Sequence, residues 1–483
     1  MSKFIGALKS FFHEQDMTVG NTVSCLLKFS IPMLIGNIAQ LLYSTADAAV
    51  VGRYVGDAAL GAVGASGPIQ NLFVVFLMAV GGGVTVMVSQ YFGAKDTENL
   101  SISIGNTFTL LIILSVVMTA ISVPLTTPIL KLTKTSADMF DMSHSYLLIL
   151  FWGTAAVGFY NVTSGILRGL GDSFFPLIVL LVAVIINVFL DIWMVAPPDK
   201  LHIGPLVGLD WGISGAAIAT VTSQIFSATA CTVRLLRMKH LFQVTRKTMR
   251  LKSVTVQNIT RLGLPTGIQM AIMFLSNLVM QPFIMQMNTP TLNVFAAMTA
   301  TQRVDSFAVM PCQSFSQTAS TFTGQNIGAN NMERVKKGTR ATLIMSLVFT
   351  VVMLAAVLIF GRYIFELFTE TKELIDMSMG FIYIMIPAYI LMAVNMTYNG
   401  VMRGAGDTVG TMWISVLTNV ILKVPVTLLL IKITVSDKWP GGNPDANFWG
   451  LLICMVLGCA VTLLYYRFAK WREKSIITSG TDV

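Results

Sequence analysis

Two carboxylates lie inside apolar stretches of this sequence, where each could bind a proton, a sodium ion or an organic cation. One is Asp191, and Asn187 precedes it by four residues, so at helical spacing both share one face. The run that ends at Val195 holds roughly 22 mostly apolar residues, enough to cross a bilayer core of about 30 Å. An ionised carboxylate at that depth is costly, so Asp191 is a candidate functional group by default. The structural alternative is that Asp191 only bonds to Asn187 and a neighbouring helix.

The second carboxylate ends a polar stripe in the first apolar stretch. Four polar residues follow one another at steps of three, four and three: Asn37, Gln40, Ser44 and Asp47. This spacing places them on one face of a helix, which should face other helices or a water-filled cavity. We predict that the stripe lines a polar cavity. The structural alternative is that Asp47 caps a helix end near the outer surface.

The second half of the chain repeats the first. The turn RGLGDS, which starts at Arg168, recurs as RGAGDT at Arg403, and SQYFGAKDTENL from Ser89 recurs as GQNIGANNMERV from Gly324, both 235 residues later. We interpret the RGxGD turns as loop clamps, in which glycines allow a tight backbone and Arg–Asp pairs fix it. A duplication of this kind predicts two similar halves with the same number of membrane spans.

The duplication does not copy the polar residues. Offsets of 233 and 235 pair the stripe with Met270, Met273, Asn277 and Met280, and pair Asn187 and Asp191 with Leu422 and Val426. If both faces line one cavity, one wall offers carboxylates and the other offers thioethers, which adapt to irregular contacts. We therefore predict a substrate cavity lined by both sets. Arg303, Asp305 and Lys423 are further charged residues in apolar stretches, and their roles stay open between ion pairing and function.

The composition is typical of a polytopic membrane protein. Hydrophobic residues make up 54% of the 483 residues, charged residues only 11%, and the mean hydropathy is +0.72, whereas a soluble domain carries about 25% charged residues. Hydropathy predicts twelve spans: 23–46, 58–91, 100–124, 142–163, 174–196, 212–236, 258–284, 293–326, 338–361, 376–398, 409–431 and 447–469. Since each half has an even number of spans, we expect two six-helix bundles, 1–245 and 246–483, related by a pseudo-twofold axis along the membrane normal.

Basic residues predict the orientation. With both termini in the cytoplasm, 22 of the 32 Lys and Arg residues lie on the inner side, as the positive-inside rule requires. The segment 234–261, which joins the halves, holds eight of them. The net charge of +9 is explained by basic residues that set the orientation of the protein in the membrane and contact anionic lipid. We therefore expect no nucleic-acid partner.

Motifs of several enzyme classes are missing from the sequence. There is no GxxxxGK(S/T) phosphate loop, no HExxH, no GxSxG and no Cys/His cluster with ligand spacing. The five cysteines include no CxxC pair and are typical of small hydrophobic residues in membrane helices. We expect no cofactor and no enzyme activity, and an ion-coupled carrier fits these absences better than an ATP-driven pump.

The sequence resembles the multidrug and toxic compound extrusion (MATE) transporters of the multidrug/oligosaccharidyl-lipid/polysaccharide (MOP) flippase superfamily over nearly its whole length. The resemblance is carried by YSTADAAVVGRYVG from Tyr43, the turns LRGLGDS and MRGAGDT, the segment GQNIGA, and NVFLD from Asn187. It implies two lobes arranged in a V and a carrier that exports organic, often cationic, drugs in exchange for protons or sodium.

Within the family the sequence is similar to the DinF-like branch, whose N-terminal lobe carries an acidic cluster. The resemblance places the ion-coupling residues at four positions: Asp47, Asn187, Asp191 and Thr220. It also implies that Na⁺, if it is the coupling ion, binds at Asp47 and Asp191. The NorM-like branch has a glutamate in the seventh span, whereas LPTGIQMAIMFLSNLVMQ has no acid here. A sodium site of that kind in the second half is therefore not expected.

We expect a monomeric, cation-coupled antiporter in the plasma membrane of a prokaryote, with both termini cytoplasmic, that moves lipophilic organic cations by alternating access. Its partners would be these small molecules and membrane lipid. Two alternatives from the same superfamily stay open. One is a lipid-linked oligosaccharide flippase, which would need a basic cavity and has only Arg303 and Lys423 in its favour, and the other is an exporter of physiological metabolites. A third alternative, an intramembrane enzyme, has no supporting nucleophile–base or metal constellation.

Overall fold

The computed structural model describes residues 15–133, 135–200, 202–203, 206–288, 294–366, 371–437 and 439–477. In the first half the helices are α1 (Thr22–Tyr54), α2 (Asp57–Gly93), α3 (Thr97–Leu132), α4 (Ala137–Trp152), α5 (Thr154–Gly169), α6 (Phe174–Val195) and α7 (Gly212–Arg237). In the second half they are α8 (Ser253–Met285), α9 (Val294–Gly328), α10 (Met332–Glu366), α11 (Lys372–Gly404), α12 (Thr408–Val416), α13 (Lys423–Ile433) and α14 (Asp445–Phe468). A π-helical turn, Leu417–Leu422, joins α12 to α13, and a 3₁₀ turn, Trp471–Glu473, follows α14. The strands β1 (His202–Ile203) and β2 (Leu206–Val207) form a short antiparallel hairpin.

The predicted all-α polytopic fold is confirmed. Ten stretches are long and apolar enough to cross a membrane, with α12 to α13 counted as one, and α4 with α5 adds an eleventh that is bent by 48°. The helix α9 is 35 residues long but less apolar, because it is rich in Ser, Thr and Gln and also carries Arg303 and Asp305. With α9 as the remaining long helix, each half has six long helices or helix pairs among the described residues.

The bend between α4 and α5 lies inside the predicted span 142–163 and coincides with Gly153. A Cβ atom at Gly153 would lie only 2.4 Å from Cγ2 of Val221 on α7. Because Gly153 has no side chain, α7 can approach the bend between α4 and α5 closely, as small residues allow between membrane helices.

Contacts group the chain into two compact units. Each unit contains mainly one half of the sequence, together with the first residues of one helix from the other half. Unit 1 comprises 1–16 and 31–267, and unit 2 comprises 17–30 and 268–483. The start of α1 thus belongs to unit 2, and the start of α8 belongs to unit 1. The bundle boundaries at 1–245 and 246–483 stay a prediction.

Close backbone packing and hydrogen bonds explain this exchange. In unit 1, a Cβ atom at Gly83 of α2 would lie 2.6 Å from the backbone nitrogen of Gly263 of α8, so the two helices meet with no side chain between them. In unit 2, the guanidinium of Arg334 donates hydrogen bonds of 2.7–2.9 Å to the carbonyl oxygens of Met17, Val19 and Gly20. Each starting segment is therefore held within the unit to which it belongs.

The two RGxGD turns have the same backbone but different partners. Gly171 and Gly406 both have positive φ (89° and 98°), a conformation that favours glycine. In each turn the aspartate accepts a backbone N–H three residues later, as helix caps do. Asp172 pairs with Arg234 of α7 (3.4 Å) and Asp407 accepts from Tyr465 of α14 (2.8 Å). The expectation that arginine and aspartate of one turn pair is therefore wrong, because the aspartates bind the helices beside them.

Candidate functional site

Asp47 and Asp191 meet inside unit 1. The carboxyl group of Asp47, on α1, faces the carboxyl group of Asp191, on α6, and the hydroxyl of Tyr146, on α4. Asp191 in turn contacts the side chain of Asn187, one turn earlier on α6. Asp47 is 7% exposed, and Asn187 and Asp191 are fully buried. The structure thus brings together two carboxylates and an amide that the sequence analysis singled out.

Several polar atoms of this acid pair and its surroundings lack hydrogen-bond partners within the described residues. They are both carboxylate oxygens of Asp191, both side-chain polar atoms of Asn187, Oδ1 of Asp47 and Oγ1 of Thr220. Buried polar atoms are normally satisfied, so such a cluster calls for an explanation. Two facing carboxylates repel one another when both are ionised. A proton or a small cation would relieve that repulsion, and the surrounding oxygens would be available to coordinate it.

Three hydroxyl groups lie beside the acid pair, on Tyr43, Thr220 and Ser223. The hydroxyls of Tyr43 and Ser223 are 3.1 Å apart, and Thr220 is close to the same tyrosine. Sequence reasoning missed Tyr43, Tyr146 and Ser223. A signal existed for two of them, since Tyr43 is four residues before Asp47 and Ser223 is three residues after Thr220, both at helical spacing. Tyr146 lies on a separate span, and no local pattern relates it to either acid.

Apolar side chains pack next to Asp47 and Asp191, between these acids and the C-terminal ends of α1 and α6. Val51 and Val195, each four residues after one of the acids, belong to one buried cluster with Ala216 and Ala217 of α7. Gly215 lets α7 come close, because a Cβ atom there would lie 2.9 Å from the carbonyl oxygen of Met194. The acids are therefore covered by tightly packed helix ends.

The remainder of the polar stripe is less buried than Asp47 and Asp191. Asn37 is half-buried, whereas Gln40 and Ser44 are exposed. The Ser44 hydroxyl donates to the carbonyl oxygen of Leu41 (3.0 Å). The place of these three residues in a substrate cavity stays a prediction.

The four corresponding residues of the second half have different surroundings. Met270 and Met273 are exposed, whereas Met280 is buried in the main hydrophobic cluster of unit 2. Asn277 accepts a hydrogen bond from Nζ of Lys423 at 3.0 Å. Their role as a cavity wall is a prediction that these placements leave open.

A polar contact line runs between α8 and the segment from α12 to α13 in unit 2. Gln269 donates to Ser415 (2.6 Å), Ser276 donates to the carbonyl oxygen of Asn419 (2.6 Å), and Lys423 donates to Asn277. The π turn falls within this line, and π turns are frequent at functional sites. No ion pair joins Lys423 to a carboxylate among the described residues, so its ammonium is held by an amide.

Asp305, in unit 2, is a half-buried acid. The hydroxyl of Tyr389, on α11, donates a hydrogen bond to its carboxylate. Arg303, two residues earlier, is exposed, as expected for residues that point to different faces of α9. Asp305 therefore has a hydroxyl partner and does not pair with Arg303.

Comparison with known proteins agrees with this architecture. The MatE family model matches residues 32–193 and 265–429. The chain is 28% identical over 454 residues to the "Probable multidrug resistance protein YoeA" of Bacillus subtilis, covering 93% of this chain and 94% of that protein. It is 24% identical over 410 residues to the "FAD transporter" of Shewanella oneidensis, covering 84% and 87%.

Its fold is similar to that of a multidrug resistance MATE family transporter of the MOP superfamily in an outward-facing conformation. The TM-score is 0.85 at 20% sequence identity, and the match covers 94% of this chain and 97% of that one. The family model covers more than half of the chain, in two stretches that correspond to the two repeats. The chain therefore belongs to the MatE family, whose members are membrane transporters and not enzymes.

Proposed function

We propose that this protein exports lipophilic organic cations in exchange for protons or sodium. The observation that carries the proposal is the facing pair Asp47 and Asp191, buried in unit 1 with most of its carboxylate oxygens unpartnered. Buried carboxylates in membrane helices mark ion pathways and proton relays. The similarity to a probable multidrug resistance protein of B. subtilis supports the proposal that the exported compounds are drugs.

The coupling ion and the organic cation would be exchanged because both compete for the negative charge of Asp47 and Asp191. A proton or Na⁺ on the acid pair neutralises it, and an organic cation can bind well only when that charge is free. A ligand shifts a conformational equilibrium only by its differential affinity for the two states. An ion that stabilises one state and a drug that stabilises the other are therefore sufficient for alternating access, and carriers built from repeats use this scheme.

Asp47, Asn187, Asp191 and Thr220 would form the ion-coupling site. Carboxylate, amide and hydroxyl oxygens suit hard cations such as Na⁺, and the same carboxylates accept protons. The protein would act as a monomer in the plasma membrane of a prokaryote, with both termini in the cytoplasm. The positive-inside distribution of Lys and Arg supports this orientation.

Dye efflux in everted membrane vesicles tests the proposal directly. Vesicles that contain the protein receive a panel of cationic dyes, and proton and sodium gradients are imposed separately. Dye should accumulate only when one of the two gradients is present. Gradient-independent accumulation, or none with any dye under either gradient, would contradict cation-coupled export.

Lys423 favours a second candidate, the export of anionic metabolites. Its ammonium lies within a membrane span, is held by Asn277 and has no carboxylate partner among the described residues. A positive group of this kind could bind a phosphate or a carboxylate of a substrate. The FAD transporter of S. oneidensis, which is 24% identical to this chain, is named for an anionic cargo, and this similarity supports the second candidate. A lipid-linked oligosaccharide flippase would use the same group, and restored export of a surface polysaccharide in a deficient strain would distinguish it.

A further inference from the structure

The linker between α7 and α8, residues 238–252, encloses a cavity together with the beginning of α3. Its volume is about 440 Å³, within the usual range for sites that bind small molecules. Four basic side chains and one acid are among its lining residues: Lys239, His240, Lys247, Lys252 and Glu98. We refer to it as the linker cavity. It lies entirely in unit 1, at the ends of three helices.

The side chain of Asn106, on α3, fixes one end of the linker. Its Nδ2 donates to the carbonyl oxygens of Thr248 (2.8 Å) and Arg250 (2.9 Å), and its Oδ1 accepts the backbone N–H of Lys252 (2.7 Å). A Cβ atom at the neighbouring Gly105 would lie 2.5 Å from the same Thr248 carbonyl oxygen. The chain therefore packs directly against α3 and has little freedom at this point.

Hydroxyl groups fix the remainder of the linker. Ser101 accepts the backbone N–H of Gln243 (3.0 Å), Thr109 donates to the carbonyl oxygen of Met249 (2.7 Å), and Thr248 accepts the N–H of Thr245 (2.8 Å). A loop held at so many points keeps its shape before any ligand arrives. Such preorganisation reduces the entropy that binding would otherwise cost.

The cavity carries a net positive charge and sits where a membrane surface begins. Its three lysines are exposed and only Glu98 opposes them among its lining residues. The linker starts after α7 and ends before α8, both of which qualify as membrane spans. Basic pockets at this level of membrane proteins bind anionic headgroups.

We propose that the linker cavity binds a phosphate group, supplied either by an anionic phospholipid headgroup or by a free phosphate compound. The three lysines neutralise the charge, and the preformed loop positions them around it. This inference does not depend on the acid pair or on the transported substrate.

The test compares two variants with equal loss of charge in the same region. One is Lys239→Gln/Lys247→Gln/Lys252→Gln, which removes lysines that line the cavity. The control is Arg237→Gln/Arg246→Gln/Arg250→Gln, which removes three exposed arginines that do not line it. The purified full-length proteins are titrated with short-chain phosphatidylglycerol, with phosphatidylcholine and with inorganic phosphate, and Tm is followed. Native mass spectrometry counts the bound lipids.

Phosphatidylglycerol or inorganic phosphate should raise the Tm of the wild type and of the arginine control, and phosphatidylcholine should not. The lysine variant should bind at least about 10-fold more weakly, because it loses direct hydrogen bonds from lysine ammonium groups to the phosphate, which the arginine control keeps. A response to phosphatidylglycerol alone identifies a lipid site, and a response to inorganic phosphate identifies a free ligand. Equal losses in both variants, or no response in the wild type, would overturn the proposal. If the triple lysine variant misfolds, Lys247→Gln alone gives the same comparison against Arg246→Gln.

Discussion

The carboxyl groups of Asp47 on α1 and Asp191 on α6 face each other in a buried part of unit 1. The two residues come from the first and the fifth membrane spans, so only the fold brings them together. Neither has an acidic counterpart at the corresponding position of the second repeat, where Met280 and Val426 stand. An ion that binds Asp47 and Asp191 therefore contacts residues of the first repeat only.

Replacing Asp191 with Asn should abolish ion-driven dye export without unfolding the protein. The amide has the same shape and removes the repulsion from Asp47, so Tm should stay the same or rise. Gradient-driven dye uptake in everted vesicles and Tm of the purified protein give the two measurements. Asp305→Asn is the control, because it removes a half-buried acid from a helix of unit 2, and it should keep gradient-driven uptake. Normal uptake by the Asp191 variant would exclude the acid pair as the coupling site.

Sodium should stabilise the wild type more than potassium does if Na⁺ is the coupling ion. A ligand that binds only the folded protein raises its stability by about 2.7 kcal/mol at 100 times its Kd. The measurement is Tm of the purified protein in equal concentrations of NaCl and KCl. The sodium effect should vanish in Asp47→Asn, and equal values for the two salts in the wild type would assign the coupling to protons. A sodium effect that survives in the variant would place the ion elsewhere.

Gly400→Ala should destabilise unit 2, because α11 and α9 touch through their backbones. A Cβ atom at Gly400 would lie 2.2 Å from the carbonyl oxygen of Ser316, and overpacking of this kind costs about 1–3 kcal/mol. On the same helix, a Cβ atom at Gly380 would meet no atom within 4 Å. Gly380→Ala should therefore leave Tm unchanged or raise it, through helix propensity worth up to about 1 kcal/mol. The prediction fails if the two alanines have the same effect on Tm.

Tyr389→Phe should lower Tm, because it takes the hydrogen bond away from the Asp305 carboxylate. Tyr389 is buried but Asp305 is half-buried, so the loss of this hydrogen bond should cost about 1 kcal/mol. Tyr383 is on the same helix and 57% exposed, so Tyr383→Phe serves as the control with little expected change. If Asp305→Asn restores the Tm of the Tyr389 variant, the loss is due to the unpaired charge. A Tyr389→Phe protein as stable as the wild type would contradict a structural role for this contact.

Lys423→Gln should reduce the export of anionic compounds and leave cationic dyes unaffected. The substitution removes the positive charge while an amide can still bond to Asn277. Uptake of a flavin nucleotide and of a cationic dye into the same vesicles provides the comparison. Equal changes for both cargoes would mean that Lys423 supports the helix packing of unit 2 and does not select substrates.

The acid pair could be found from sequence because a carboxylate in an apolar run is rare and costly, and that rule applies to Asp47 and Asp191 individually. The stripe was less informative. Helical spacing places Gln40 and Ser44 on the same face of α1 as Asp47. It does not predict which part of that face, along the length of the helix, is covered by neighbouring helices. In the structure they cover Asp47 and leave Gln40 and Ser44 exposed.

Lys423 shows a second reason why spacing was insufficient. The turn Leu417–Leu422 is π-helical, so it contains an extra residue and rotates everything after it relative to an α-helix. The face on which Lys423 lies cannot be obtained by counting from α12. No residue type in LTNVIL identifies a π turn, and the partner Asn277 could be recognised only from the folded chain.

The division of α1 and α8 between the two units has a consequence for biosynthesis. Unit 1 remains incomplete until the ribosome has passed Gly267, well beyond the sixth span, because the start of α8 packs into it. Residues 17–30 are translated before residues 31–267 of unit 1, yet they pack into unit 2 with residues that are translated after Gly267. Each unit therefore depends on a segment from the other half of the sequence, and neither half would be expected to mature when produced alone.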